Sequence, residues 1–392
     1  MNTLNSYSSR APIQVENIPT DSTGGQEDKR PRTRCGYLVP DAYANYEQAI
    51  GQTGSQASGR ALHFAADLIC SGGLDIWIRG VYSYALTHIG LANPRILVYL
   101  KQRIGSIDRL AAQLPQESFF SNRDVQSLVS EVVLILQLCP KRAKVVWPKI
   151  DDTAKAPGWI RSVAGSQETA ATRKVWSSDG DSPTLYLASN ELCKAITEGS
   201  SERALFWIRW VLEEDSRIKK ETKGNGLSSK ARGPETMNTK SQTEAGHYIA
   251  ALLLEIYRDL MSKGIIRMNE EFQELIRLWR GGETRMAARL RKDCLGWMTM
   301  ICCEVPRWKV PAAPTLVEDP VRLSRAVGGS TQFFNEVLSY PPLPSSQQLK
   351  AKMMKAVREK KGKNLTEKEK KAMTMEEQFD AFDAVMEMYL NK

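Results

Sequence analysis

The segment Gly54–Ala61 contains residue types that could bind the phosphates of a nucleotide. Gly54 and Gly59 have the spacing of a phosphate-binding loop, and the segment opens a helical pattern whose free backbone amides would bind an anion. The lysine of such a loop is replaced by Arg60, the magnesium-binding hydroxyl residue is replaced by Ala61, and no apolar strand precedes the segment. We therefore interpret it as a turn before a helix and expect no nucleotide or other cofactor.

The histidines and cysteines do not form the pattern of a metal site. His63, His88 and His247 each stand alone on an apolar helical segment, and Cys302–Cys303 has no second pair at zinc-finger distance, so we expect core residues. Nothing indicates a Cys–His nucleophilic pair, although such partners meet in space rather than along the chain. Seven cysteines in mostly apolar surroundings are typical of reduced residues in a cytosolic or nuclear protein.

The carboxylates show no arrangement typical of acid–base catalysis. Glu213–Asp215 lie close in sequence to Arg217 and Lys219, which is the spacing of ion pairs on the solvated face of a helix. Without a metal site, a nucleophile or a nucleotide loop, the sequence predicts a protein that is not an enzyme and that acts by binding and assembly.

Cations are concentrated in two segments that we predict to contact nucleic acid. The formal charge is +9, and the segment 350–371 alone contributes +7, from ten Lys or Arg and three Glu (10 − 3). Such a segment can neutralise several phosphates, and a charged helix in solvent is the alternative. The N-terminal run would also serve nuclear import. The predicted nucleic-acid-binding residues are Lys29, Arg30, Arg32, Arg34, Lys352, Lys355, Arg358, Lys360, Lys361, Lys363, Lys368, Lys370 and Lys371.

The C-terminal segment reads as an acidic amphipathic helix. Thr374 and Glu377 have the spacing of a capping box, which begins a helix. Its apolar face would pack on the core of the chain or dock into a groove of another subunit. The predicted partner-binding residues on this face are Phe379, Phe382, Met386 and Tyr389.

The spacing of the apolar residues predicts an all-α fold of two helical subdomains. In the first, Asn93–Pro94 should begin a helix that runs to Ile104, because Asn caps free amides and Pro suits the first helical position. Asn122 should begin the central core helix, which Pro140 ends. No strand-like alternation of comparable strength occurs.

Stretches rich in Gly, Pro, Ser and Thr bury little apolar surface and mark the boundaries. The predicted divisions are a disordered arm, 1–41; a helical domain, 42–150; a linker, 151–188; a second helical domain, 189–345, with a flexible loop, 221–242; and a basic then acidic helical tail, 346–392. A Pro-rich segment, 306–344, follows the last helix expected in the second domain.

No apolar stretch approaches the roughly 20 residues that a bilayer-spanning helix requires. The first thirty residues are polar and lack the apolar core of a signal peptide. We therefore expect a protein that is not secreted and has no membrane partner.

The region Ala57–Trp147 resembles the helical C-terminal collar domain of clamp loaders and related replication AAA+ ATPases. The resemblance lies in Arg60–Leu68, Ser71–Gly73, Ile89–Pro94 and Cys139–Lys144, which follow the order seen in that family. It implies a helical domain that holds subunits together, so we expect a homo-oligomer. No ATPase module precedes this region, and ATP-driven loading is therefore not implied.

Together with Glu202–Trp210, most of the segment 42–345 also resembles an uncharacterised protein family of nucleocytoplasmic large DNA viruses. This resemblance implies a viral protein in the cytoplasm or nucleus of an infected cell. Our hypothesis is an oligomeric accessory factor for DNA replication or genome handling, with DNA and viral replication or virion proteins as partners. A structural or scaffolding protein of the virion or replication compartment is the alternative.

We predict that the lysines of the tail make electrostatic contacts with duplex DNA. Replacing Lys360, Lys361, Lys363, Lys368, Lys370 and Lys371 with Gln keeps helix propensity similar and removes charge. If about four cations contact phosphates, the plot of log affinity against log salt has a slope near −3.6, and the substitutions should flatten it. If the variant is still helical by circular dichroism and binds duplex DNA with the same affinity and the same slope, the segment does not contact DNA and is a charged helix in solvent.

Overall fold

The structure is a computed structural model that describes residues 31–341, apart from residues 166, 225, 235–241, 267–268, 305–315 and 318. Among the described residues the regular elements are helices, and the one strand-like feature is an isolated bridge between Arg32 and Leu38. The predicted all-α fold is confirmed. The arm up to residue 30 and the tail from residue 346 lie outside the described residues.

The helices of the N-terminal half are α1 (Val39–Gly51), α2 (Ser55–Cys70), α3 (Leu74–Tyr84), α4 (Arg95–Gln113), α5 (Gln116–Ser121) and α6 (Arg123–Leu138). A π-helical turn, Ala85–Ile89, and a 3-10 turn, Gly90–Ala92, connect α3 to α4. The later helices are α7 (Trp159–Val163), α8 (Ala170–Val175), α9 (Pro183–Thr197), α10 (Ser201–Thr222), α11 (Ala245–Ser262), α12 (Asn269–Trp279), α13 (Arg291–Cys303), α14 (Pro320–Gly328) and α15 (Thr331–Ser339).

Helix α6 is the centre of the N-terminal half, as the sequence predicted. Asn122 begins it because its Oδ1 accepts hydrogen bonds from the amides of Asp124 and Val125, at 2.9 and 3.1 Å. The helix contacts α1, α2, α4, α5 and α14. Its face of fully buried side chains consists of Val125, Val129, Val132, Val133 and Leu136. Each such side chain contributes roughly 1.5–3 kcal/mol to stability.

Helix α4 begins at Arg95, directly after Asn93–Pro94, but Pro94 precedes its first residue and no side chain caps it, so the predicted Asn cap is wrong. The helix also does not end at Ile104. It continues to Gln113 because Ile107, one turn further on, is also fully buried. Burial of this face outweighs the helix-weakening effect of the intervening Gly105.

The last two described helices cover the N-terminal half. Helix α15 packs on α2, α5 and α6, and α14 packs on α6. Phe334 and Val337 are buried, and Phe333 comes within 3.5 Å of the position that a Cβ would take at Gly59. No helix was expected in the Pro-rich segment 306–344. The prolines made this segment look non-helical, but it contains two short stretches with an apolar face. These stretches form helices because they pack on the N-terminal half, which stabilises helices too short to be stable alone.

Helix α13 joins the two halves of the molecule. The indole N–H of its buried Trp297 donates to the carbonyl oxygen of Leu86 at 3.0 Å. Gly90, in the same turn, has φ 46° and ψ −124°, and a Cβ there would lie 2.1 Å from the Trp297 ring. Nearly all of the buried apolar side chains between Ala42 and Val337 belong to one cluster that spans both halves.

The segment predicted as a linker, 151–188, contains α7, α8 and the start of α9. Helix α9 begins at Pro183 because the Ser182 side chain accepts a hydrogen bond from an amide of the first turn. Trp210 holds the segment further upstream, since its Nε1 donates to the carbonyl oxygen of Ala154 at 2.8 Å. Polar turn residues are therefore fixed here by hydrogen bonds to distant parts of the chain.

The described part of the predicted flexible loop, 221–242, is also packed. Leu227 is buried, and its amide donates to the Asp215 carboxylate at 2.8 Å. Arg232 donates to both oxygens of Asp181, at 2.7 and 2.6 Å. Residues 225 and 235–241 of this loop lie outside the described residues.

We expect the substitution Gly90→Ala to destabilise the protein by roughly 3 kcal/mol, because the backbone conformation disfavours L side chains and the new methyl group overlaps Trp297. Urea unfolding followed by circular dichroism measures this change. Gly105→Ala is the matched control. That glycine is inside α4 and no atom lies within 4 Å of the position of a Cβ, so alanine should raise the free energy of unfolding by about 0.5–1 kcal/mol. Equal stability of both variants would contradict the packing at Gly90.

The buried His247 should make stability depend on pH. Burial, together with the nearby positive charges of Arg280 and Arg291, lowers its pKa to about 4, and its Nδ1 accepts a hydrogen bond from Trp279 Nε1 at 3.3 Å. As pH falls below the unfolded pKa of about 6.5, the unfolded chain takes up the proton first. Stability is therefore lost between about pH 6.5 and 4, by about 3 kcal/mol from this residue.

Urea titrations at several pH values test this dependence. His247→Gln, which keeps a hydrogen-bond acceptor but does not titrate, should lose less stability than the wild type over the same range. Parallel pH profiles for the two proteins would contradict the assignment.

Candidate nucleic-acid interface

An extended segment, Cys139–Ile150, follows α6, and we call it the basic strap. It runs along α13 from the end of that helix, at Glu304, to its start, at Asp293. Four of its residues are Lys or Arg, and none is Asp or Glu. The cations of the strap are Lys141, Arg142, Lys144 and Lys149.

The first anchor of the strap is Arg142. Its amide donates to the carbonyl oxygen of His88 at 2.7 Å. Its guanidinium donates to both carboxylate oxygens of Glu304, at 3.1 and 2.8 Å. This two-pronged pair has a fixed geometry, so it holds the strap to the end of α13.

The middle of the strap is anchored by apolar packing. Val145 is buried against Gly296 of α13, where a Cβ would lie 2.9 Å from Val145 Cγ1. The ring of Trp147 also comes close to this glycine, and its Nε1 donates to the Asp293 Oδ1 at 3.1 Å. The absence of a side chain at Gly296 thus permits the close approach of the strap.

The far end is held by α10 and by the core. The guanidinium of Arg209 donates to the carbonyl oxygens of Trp147 and Pro148, at 3.3 and 2.9 Å. Ile150 is buried. The strap therefore has a defined position although it forms no regular secondary structure.

Lys141 has a structural role at the start of the strap. Its Nζ donates to the carbonyl oxygens of Leu136, Gln137 and Cys139, at 2.6, 3.0 and 2.6 Å. A cation at the C-terminal end of α6 complements the helix dipole. Burial lowers the pKa of Lys141 to about 8, so it remains largely protonated at neutral pH.

Three further cations are exposed and, within the part of the chain that the structure describes, have no hydrogen bond or ion pair. They are Lys144 and Lys149 of the strap and Arg289, which lies two residues before α13. A fourth, Lys292, places its Nζ 4.6 Å from the centroid of the Trp147 ring.

Three of these cations lie near one half-buried carboxylate, that of Asp293. Asp293 lies within electrostatic range of Lys292, Lys144 and Arg289, but its burial has the largest effect and raises its pKa. Burial also lowers the pKa of Lys292, and the positive charge of Arg209 lowers it further. The strap itself has no carboxylate to balance its cations, while Asp151 and Asp152 follow it directly and Glu213 lies within electrostatic range of Lys292.

Such a surface can bind an extended polyanion. The ammonium and guanidinium groups supply hydrogen-bond donors and positive charge, which are the groups that contact phosphate backbones. No group of three or more His, Cys, Asp or Glu that could hold a metal occurs among the described residues.

The predicted nucleic-acid-binding residues fall mostly outside the described residues. This holds for Lys29 and Arg30, for every predicted cation between Lys352 and Lys371, and for the predicted partner-binding residues between Phe379 and Tyr389. Their assignments stay predictions.

Two cations of the N-terminal run are described. Arg32 is exposed, and its Nη1 donates to the carbonyl oxygen of Gly36 at 2.9 Å. Arg34 donates to the carbonyl oxygens of Tyr340 and Leu338 at 2.8 Å each, so it caps the end of α15. Part of the segment predicted as a disordered arm, 1–41, is thereby fixed to the last described helix.

The other sequence motifs have ordinary structural positions. The Gly54 segment forms the start of α2, where Arg60 lies 3.5 Å from the Asn45 side chain. His247 is a core residue, as expected, and His63 is partly buried beside Phe64. His88 is exposed, and the expectation that it belongs to the core is wrong. None of the described helices combines the length and apolarity needed to cross a bilayer.

A polar cavity of about 290 Å³ lies between the two halves, lined by residues of α3, α4, α12 and the segment that follows α12. At its rim Arg285 donates to both Asp108 oxygens, at 2.7 and 2.9 Å, and to Glu283 at 2.7 Å. Because these charges neutralise one another, we interpret the network as a junction between the halves.

Sequence analysis missed the strap as a binding surface. The signal was present, since residues 139–150 contain four cations, no acid and two prolines. It was overlooked because Arg289 and Lys292 are distant in sequence, and only the fold brings them to the strap.

Comparison of the chain with protein-family models, with curated proteins and with solved structures gave no match. The geometry of the strap is thus the main basis for a functional proposal.

Proposed function

We propose that the protein is a non-enzymatic nucleic-acid-binding factor whose basic strap contacts the phosphate backbone. The observation that carries this proposal is the set of exposed, unpaired cations, Lys144, Lys149 and Arg289, on a surface that is fixed by α13. Cations with partners of their own would have to give up those contacts before binding phosphate.

Fixed positions favour binding for an entropic reason. A segment that is ordered only on binding loses conformational freedom at that moment, and this loss weakens affinity. The strap is already held by Arg142, Val145 and Trp147. The phosphate contacts of the strap would release counterions from the nucleic acid, which favours binding. The contacts predicted for the tail would release further counterions.

The wider role follows from the two resemblances of the sequence. It is that of an accessory factor for replication or genome handling in a large DNA virus, acting in the cytoplasm or nucleus of the host cell. A virion scaffold is the alternative role. Abundance in purified particles without affinity for DNA would favour the scaffold.

The self-association implied by the collar resemblance remains part of the proposal, but the apolar faces of α2 and α6 are not the surface that we propose for it. The broad apolar faces of α2 and α6 are covered by α14 and α15 of the same chain. Association through those faces would require both helices to leave the fold, so the intact chain would associate through other surfaces.

We expect the triple substitution Lys144→Gln, Lys149→Gln, Arg289→Gln to weaken DNA binding and its salt dependence. If each of these side chains contacts one duplex phosphate, the slope of log affinity against log salt becomes less steep by about 2.7. Fluorescence anisotropy with a labelled oligonucleotide duplex at several salt concentrations measures both quantities. The fold should be unchanged, because none of the three side chains makes a hydrogen bond or ion pair among the described residues.

The matched control removes the same charge elsewhere. Arg123, Lys194 and Lys220 are exposed cations outside the strap, and their replacement by Gln should change the slope little. An equal loss of affinity in both triple variants would mean that net charge, and not the strap, determines binding.

A further inference from the structure

We infer that the strap binds single-stranded nucleic acid, with bases lying against Val146 and the exposed part of Trp147. This inference rests on the proposed function and narrows its ligand. It depends on four features of the strap: an exposed apolar side chain between cations, a partly exposed tryptophan ring, backbone amides without protein acceptors, and an extended shape.

The apolar feature is Val146. It is 74% exposed, more than any other large apolar residue in the described part of the chain, and it lies between Lys144 and Lys149. Leu138, directly before the strap, is 43% exposed. A duplex presents phosphates and sugars to such a surface, whereas a single strand also presents unstacked bases that gain from apolar contact.

The aromatic feature is Trp147, which is partly exposed beside Val146. Its indole N–H is held by Asp293, and Lys292 lies over its ring at 4.6 Å. The ring is therefore fixed in orientation, with a cation next to it. Single-strand-binding surfaces combine aromatic rings and cations in this way, because bases stack while phosphates pair with the charges.

The backbone of the strap supplies further donors. The amides of the exposed residues Ala143, Lys144 and Val146 have no acceptor within the described residues, while the neighbouring Arg142 amide is bonded to His88. Free amides of an extended segment pair with water or with a ligand. Base edges and phosphates are rich in acceptors, and an unstacked strand can bring both to this segment.

The shape of the strap argues against readout of a duplex groove. Major-groove recognition uses a helix or a two-stranded ribbon that projects into the groove. The strap is a single extended segment that lies flat along α13, and α13 itself is buried at Leu295, Met298 and Ile301. A single strand can place both phosphates and bases along such a segment, whereas a duplex presents only its phosphates and sugars to it.

The test compares a labelled oligonucleotide of mixed sequence as a single strand and as a duplex, by fluorescence anisotropy at low salt. The full-length protein carries the six Lys→Gln substitutions of the tail, so that binding reports on the strap. We expect about tenfold tighter binding of the single strand, a factor that corresponds to roughly one base contact. Val146→Ser should lower single-strand affinity by about three- to tenfold and leave duplex affinity unchanged.

Val321→Ser is the matched control, because Val321 is 58% exposed on α14 and is not part of the strap. It should change neither affinity. Equal affinity for both forms, or single-strand binding that is unaffected by Val146→Ser, overturns the inference and leaves the proposed function in place. Absence of salt-dependent binding to either form overturns both.

Discussion

The burial of α13 between the two halves is the constraint on which the rest of the structure depends. Trp297 fills the turn after α3, and Gly90 has no side chain there because none would fit. The same helix supports the strap through Gly296 and Asp293. One helix thus fixes the relation of the halves and the geometry of the candidate interface.

The cations of this region fall into two groups, those that hold the strap in place and those that are free to bind a ligand. Arg142, Arg209 and Lys141 donate to carboxylate or carbonyl oxygens and hold the strap. Lys144 and Lys149, on the same segment, are exposed and unpaired among the described residues. Between Lys144 and Trp147 exposed and packed side chains alternate, because successive side chains of an extended segment point in opposite directions. A surface for polyanions therefore needs no helix or sheet of its own.

The helices α14 and α15 change how the N-terminal half should be understood. Its apolar faces, which suggest an assembly surface when the sequence is read alone, are satisfied within the chain. Arg34 ties the end of α15 to the N-terminal segment through two carbonyl oxygens. Contacts between residues about 300 positions apart thus cover apolar side chains that would be exposed in the N-terminal half alone.

The sequence by itself determined the fold class and the start of α6, because helical periodicity and the Asn122 cap are local properties. Only the tertiary structure decided that the segments predicted as linker and loop have defined conformations, because Trp210 and Arg232 hydrogen-bond to groups far away in sequence. It also decided the candidate interface. Lys144 and Arg289 are 145 positions apart (289 − 144), and no local pattern reveals that α13 brings them to one surface.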